Sequence, residues 1–177
     1  LKALKQLPEG DVLIYGEAGA YFVQDISQHM ALLKNKDIIF FEDWRPLFSP
    51  TKRACLDDFG WPKSFWQKKG GLLADIIFMR NTPHVRSFLK RWLEVCQHGD
   101  LITDTPSQNP AYPEFTTSSH EQALLMCALA ENQAAQRPKK LKTHIVPLIN
   151  NHRHILKRPW RHSLKEGSLF PQIARNM

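Results

Sequence analysis

The apolar residues of this chain fall into two alternating rhythms, one helical and one extended. Leu1, Leu4 and Leu7 recur at helical spacing until Pro8-Glu-Gly10 stops them. Residues 11–15 then read Asp-Val-Leu-Ile-Tyr, a short apolar block that predicts a buried strand. Gly16-Glu-Ala-Gly19 follows as a turn whose glycines let a ligand come close to the backbone. Residues 26–33 predict a short helix with Asp25 or Ser27 as its N-cap. Asp37-Ile-Ile-Phe-Phe41 predicts a second buried strand, and residues 42–50, with two prolines, predict a loop.

Residues 51–59 predict a helix ended by Gly60, and Pro62 opens a further short one through Trp66. Residues 70–80 predict a third strand interrupted by small residues. Thr82-Pro83 starts an amphipathic helix, with Val85, Phe88, Leu89, Trp92, Leu93 and Cys96 on its apolar face and Gly99 at its end. Residues 100–117 contain Pro106, Pro110 and Pro113 and predict a long loop of the kind that forms lids. Ser118 or Ser119 then caps a helix over about 120–132, with Gln122 placed for a capping box. Residues 143–149 predict a last strand, and the tail after them has no strong period. Alternation of this kind predicts an α/β fold, a mixed sheet flanked by helices. One domain over 1–150 and a basic tail over 151–177 are expected. Four strands are few for a complete doubly wound sheet, so the chain is expected to be a piece of a larger domain.

Composition narrows the classes. Fifteen Phe and Trp residues and 42% apolar content exclude a disordered chain. The net charge of +7 is densest between Lys139 and Arg161. It is compatible with nucleic acid, anionic lipid or phosphorylated ligands and does not choose among them. Cys55, Cys96 and Cys127 form no CxxC pair, which argues against a zinc knuckle or redox motif. Buried free thiols are expected, which fits a reducing, cytoplasmic setting. No apolar run reaches the roughly 18 residues of a membrane span, and no signal peptide is visible. Walker A, GxGxxG, GxSxG and HExxH are all missing.

The candidate chemistry sits at two places. Glu17, just past a buried strand and flanked by glycines, suits Mg²⁺ or Mn²⁺ held against a diphosphate, since these ions keep few protein carboxylates. The alternative is a polar turn residue. His120-Glu121-Gln122 opens a helix, where an acid is favoured in any case. Glu121 there suits a general base or a stabiliser of positive charge, and Gln122 a hydrogen bond to a hydroxyl-rich ligand. Among the histidines, His144, His152 and His154 are weaker candidates for a metal ligand. Trp44, Trp61 and Trp66 suit stacking on sugar rings or bases, or else anchor loops to the core. Lys52-Arg53 and Lys68-Lys69 suit phosphate binding or plain surface charge.

The order of these pieces resembles a family of glycosyltransferase-like proteins with the GT-A fold. Tyr15-Gly-Glu17-Ala-Gly19 is similar to that family's Tyr-x-Asp-Ala-Gly motif, the counterpart of the Asp-x-Asp motif of sugar transferases. Thr51-Lys52 resembles its threonine-lysine helix start. Ala74-Asp-Ile-Ile-Phe-Met-Arg-Asn-Thr82 resembles its Ala-Gly-Ile-x-Phe-x-Arg-Asn-Thr strand. Trp92-Leu93 matches a central helix pair, and His120-Glu-Gln-Ala123 resembles a His-Asp-Gln-Ser motif. The resemblance spans about residues 1–135. It implies a nucleotide-sugar donor and a hydroxyl acceptor, such as a glycan or lipid-linked glycan. It also implies Mn²⁺ or Mg²⁺ near Glu17, and Glu121 and Gln122 close to the sugar. Beside what the resemblance implies, Asp75 is a candidate helper acid, and Tyr15, Gly19, Trp44, Trp66 and His120 are candidate substrate contacts.

Three departures stand out. Glu replaces Asp in both acidic motifs, Asp75 stands where Gly is usual, and the nucleotide-binding portion of a GT-A domain would precede residue 1. A non-catalytic binding or scaffold protein with the same fold is therefore the second expectation. A basic nucleic-acid-binding module ranks last, because no recognition motif accompanies the charge.

Overall fold

The computed structural model describes residues 1–18, 21–22, 25–134, 141–146 and 156–157. It is a mixed α/β structure built on a four-stranded sheet. The strands are β1 (Val12–Gly16), β3 (Ile38–Pro46), β4 (Gly70–Arg80) and β5 (Thr143–Val146), in the order β1-β4-β3-β5. β4 runs antiparallel to both β1 and β3, and β5 lies parallel to β3. A separate two-residue ribbon pairs β2 (Tyr21–Phe22) with β6 (Leu156–Lys157).

Alternation in the two central strands divides the core. Ile38 and Phe40 with Ile77 and Met79 face the larger cluster, and Ile39 and Phe41 with Ile76 and Phe78 face the smaller one. The larger face is covered by α3 (Arg53–Asp58), α4 (Lys63–Trp66), α5 (Pro83–Cys96) and α7 (His120–Ala134). The smaller face is covered by α2 (Ser27–Leu32) and the 3₁₀ turn Leu33–Asn35. Leu4 of α1 (Lys2–Lys5) is fully buried in the larger cluster. Residues Ala123 to Ala130 of α7 are all buried, so this helix is enclosed on every side rather than amphipathic.

Local chemistry sets the helix starts. Thr82 Oγ1 accepts the Val85 amide and Pro83 fills the first turn of α5, as its sequence predicts. Asp25 Oδ1 accepts both the amide and the hydroxyl of Ser27 at the start of α2. The hydroxyl bond is the larger cause of an Asp25 pKa below its ordinary value. The capping box expected at α7 does not form. The Ser118 hydroxyl accepts the His120 amide, and the Gln122 side chain turns away into the sheet.

Two other expectations are corrected. Residues 42–46 were expected in a loop but continue β3 to Pro46. Their polar run hides the strand, because its pairing is carried by β4 rather than by apolar alternation. The expected loop over 100–117 begins with a short helix, α6 (Gly99–Ile102). Residues 147–149 of the expected last strand lie outside the described residues, as does most of the tail.

Candidate functional site

The site is built on two irregularities of β4. At the first, Ile39 pairs with Phe78 and Phe41 with Leu73, so Phe40 alone stands against residues 74–77. A bulge of this kind re-aims a side chain and is common beside active sites. Here it carries Asp75. β1 pairs with β4 as far as Gly16 opposite Ile76, and the Glu17 amide donates to the Asp75 carbonyl oxygen at 2.9 Å. The two acids therefore stand across from each other where β1 leaves the sheet. An antiparallel ladder spaces such neighbours by about 5 Å between Cα atoms. Tyr15, two residues earlier, is exposed.

At the second irregularity, Asp43 pairs with Gly71 and Pro46 with Gly70, which pushes Trp44 and Arg45 out of register. Trp44 is 70% exposed. Asp43 is buried, at 5% exposure, yet fully engaged. Its Oδ1 accepts the Arg45 amide, and its Oδ2 accepts Arg45 Nε at 3.0 Å and Nη2 at 2.7 Å. Gln122 Nε2 adds a bond to the same Oδ2 at 3.1 Å and donates at 2.8 Å to the Leu72 carbonyl. Both amide donors of Gln122 are thereby spent on the sheet. Gly71 makes the crossing possible, because a Cβ there would be driven into the Arg45 carbonyl oxygen.

His120 opens α7 with φ +43°, the left-handed region that non-glycine residues seldom occupy. Its Nε2 lies 2.9 Å from Asp104 Oδ1. Strain held at the first residue of a helix is a pointer to function rather than to packing. Glu121 is exposed, and its carbonyl accepts Trp92 Nε1 from α5 at 3.0 Å.

The residues singled out from sequence thus fall into two groups. Glu17 and Asp75 are joined by a backbone hydrogen bond. His120, Glu121 and Gln122 gather with Asp104, Asp43 and Trp92. The link between the groups is β4 itself, since Leu72 and Asp75 are separated by roughly 10 Å of strand. Gly19, His152 and His154 lie outside the described residues, and His144 sits in β5. Lys68 and Lys69 follow α4, where Lys69 lies over the Phe65 ring.

Trp66 is a correction. It is 1% exposed, packs between Phe59 and Phe65, and donates its Nε1 to the Trp61 carbonyl. Enclosed in this way it presents no surface to a ligand. Trp61 stacks on Phe65. Lys52 is likewise no phosphate ligand. It is 6% exposed, and its ammonium donates to the Asp100, Thr103 and Thr105 carbonyls at 2.5, 2.9 and 2.8 Å.

No family model matches this chain, and no curated protein matches it.

Asp43 and Arg45 were missed from sequence. The signal was a charged pair two residues apart around a tryptophan, which a loop assignment had absorbed. The three cysteines are free thiols. Burial pushes Cys55 and Cys96 up to about 11 and Cys127 well above the usual range, so none is a ready nucleophile. Among the described residues no helix is long and apolar enough to cross a membrane. Among them, too, no three His, Cys, Asp or Glu side chains are grouped to hold a metal ion. Two carboxylates across one ladder do suit an ion that takes most of its ligands from a diphosphate and water.

Proposed function

We propose that this chain is part of a GT-A-like glycosyltransferase that moves a sugar from a nucleotide diphosphate to an acceptor hydroxyl. The observation that carries the proposal is the meeting of Glu17 and Asp75 at the end of β1, where a bulge turns β4 aside. The order of motifs resembling that family supports it further. Glu17 and Asp75 would hold Mn²⁺ or Mg²⁺, which when bound neutralises charge on the diphosphate. Glu121, an exposed carboxylate at the positive end of α7, takes the proton of the acceptor hydroxyl. The acceptor oxygen bonds to the anomeric carbon as the bond from that carbon to the diphosphate oxygen breaks. The electron pair leaves with the diphosphate. Trp44 offers its exposed ring to the CH face of a sugar. Gln122 is a positioning residue, because it ties the first turn of α7 to Asp43 and β4.

The test is calorimetric titration of a nucleotide-sugar panel, with Mn²⁺ and with chelator. Binding is expected only with Mn²⁺ and is expected to be lost in both Glu17→Gln and Asp75→Asn. Heat that ignores the metal, or that survives both substitutions, would sink the proposal. So would the lack of any heat across the panel.

A further inference from the structure

The segment 103–118 closes a cavity of about 560 Å³ against the start of α3. That is within the range of small-molecule sites. The wall is pinned along its length. Lys52 gathers three carbonyls at its near end. Ser107 Oγ accepts the Ala54 amide of α3 at 3.1 Å. Asn109 donates to Asp57, and the Thr116 and Ser119 amides return to the Ser49 and Pro50 carbonyls. The cavity is therefore preformed and has no need of closure.

Its lining has one chemical character. The hydroxyl oxygens of Thr105, Ser107 and Ser118 each accept a hydrogen bond, from Thr103 Oγ1, Ala54 N and His120 N. None of the three donates to a described residue. Each hydroxyl carries one hydrogen, so three donors line the cavity unspent. Pro106, Pro110 and Phe115 supply apolar ring surface beside them. The Lys52 cation at the wall is already committed. The Lys52 ammonium has given all three hydrogens to carbonyls, and Arg53 is drawn to Asp57 at 3.3 Å and to the Pro110 carbonyl. Asp104 adds a carboxylate at the lining. That carboxylate opposes an anion at the lining, whereas a ligand with apolar faces and many oxygens finds rings and donors there, three of the five Arg53 N–H groups among them.

We propose that this cavity binds a neutral saccharide, its CH face on the proline and Phe115 rings and its oxygens on the hydroxyls of Thr105, Ser107 and Ser118. Naming that saccharide as the acceptor rests on the transfer reading above; its binding does not. His120, bonded to Asp104 of the lining and next in sequence to Glu121, joins the cavity to the proposed base.

The experiment is saturation-transfer difference NMR on the whole chain. The probes are the methyl glycosides of glucose, galactose and mannose, with maltose, cellobiose and lactose. At least one is expected to give signal. Ala111→Trp, which fills the cavity from an exposed position, is expected to weaken its binding about tenfold or more, as loss of two hydrogen bonds would. Thr105→Val, which keeps the shape and removes one donor, is expected to weaken it several-fold. Glu17→Gln is expected to leave it unchanged. No signal from any probe would overturn the proposal, as would signal untouched by both cavity variants or displaced by inorganic phosphate. Saccharide binding without nucleotide-sugar binding would overturn the transfer reading alone. The converse would overturn only this one.

Discussion

At the scale of single residues, Gly71 leaves the least room for a side chain among the described glycines. Asp43 and Arg45 cross it so closely that a Cβ would meet the Arg45 carbonyl oxygen and lie 3.0 Å from Asp43 Cβ. Backbone cannot yield as a flexible side chain can. Gly71→Ala is expected to cost about 3 kcal/mol, read as a lower urea midpoint at unchanged slope. An alanine variant within a few tenths of a kcal/mol of the parent would show that β3 does not cross there as described. Lys52 teaches a different lesson at the same scale. A lysine beside an arginine reads as surface charge in a sequence, because nothing local announces three carbonyls arriving from residues 100–105. Trp66 misleads in the same way: its burial comes from Phe59, outside its own helix, and from the packing of α4.

Among the elements, α2 is held to the sheet by an unusual contact. His29 stacks on Phe78 at 5.7 Å and tilts over Phe41 at 5.6 Å, and its buried Nδ1 makes no hydrogen bond. Burial holds its pKa below 6.5, so the folded state keeps the ring neutral. For a base lowered in this way, the stabilising contribution is complete above pH 6.5. It is lost as pH falls through the lower folded value. Stability is therefore expected to drop on the acid side of pH 6.5, and His29→Phe to make that drop shallower. Denaturant midpoints of both proteins at pH 5 and pH 8 would check it; equal differences between the two pH values would count against His29. The strands β1 and β4 and the helix α5 were legible because their apolar periods and caps are local. The length of β3 was not, because Glu42, Asp43 and Arg45 are polar and the strand partners of this stretch, Leu72 and Gly71, are distant in sequence.

For the whole molecule, the layered α/β plan followed from alternation, but the order β1-β4-β3-β5 did not. Antiparallel neighbours separated by some sixty residues leave no periodic trace in a sequence. The meeting of Glu17 with Asp75 was hidden for the same reason, although each acid was singled out alone. Stability as a whole also carries a signature of the buried thiols. Cys55 and Cys96 are raised from 9.0 to about 11 by burial, and Cys127 is also raised well above 9.0. An acid raised in the folded state contributes fully below its unfolded pKa and ceases to contribute as pH rises through the folded one. The fold is expected to weaken between about pH 9 and pH 11, with thiol reagents slow to reach Cys55 and Cys127 at pH 8 until denaturant is added. Rapid labelling of Cys55 or Cys127 at pH 8 in native buffer would contradict their burial.

The enclosure of α7 has one more consequence. With Ala123 to Ala130 all buried, the amide hydrogens of this stretch are expected to be among the slowest to exchange. Its first turn inherits that immobility through Gln122. A ligand arriving there meets a fixed template rather than a closing clasp, so discrimination rests on exclusion of what does not fit, and little ordering entropy is spent on binding.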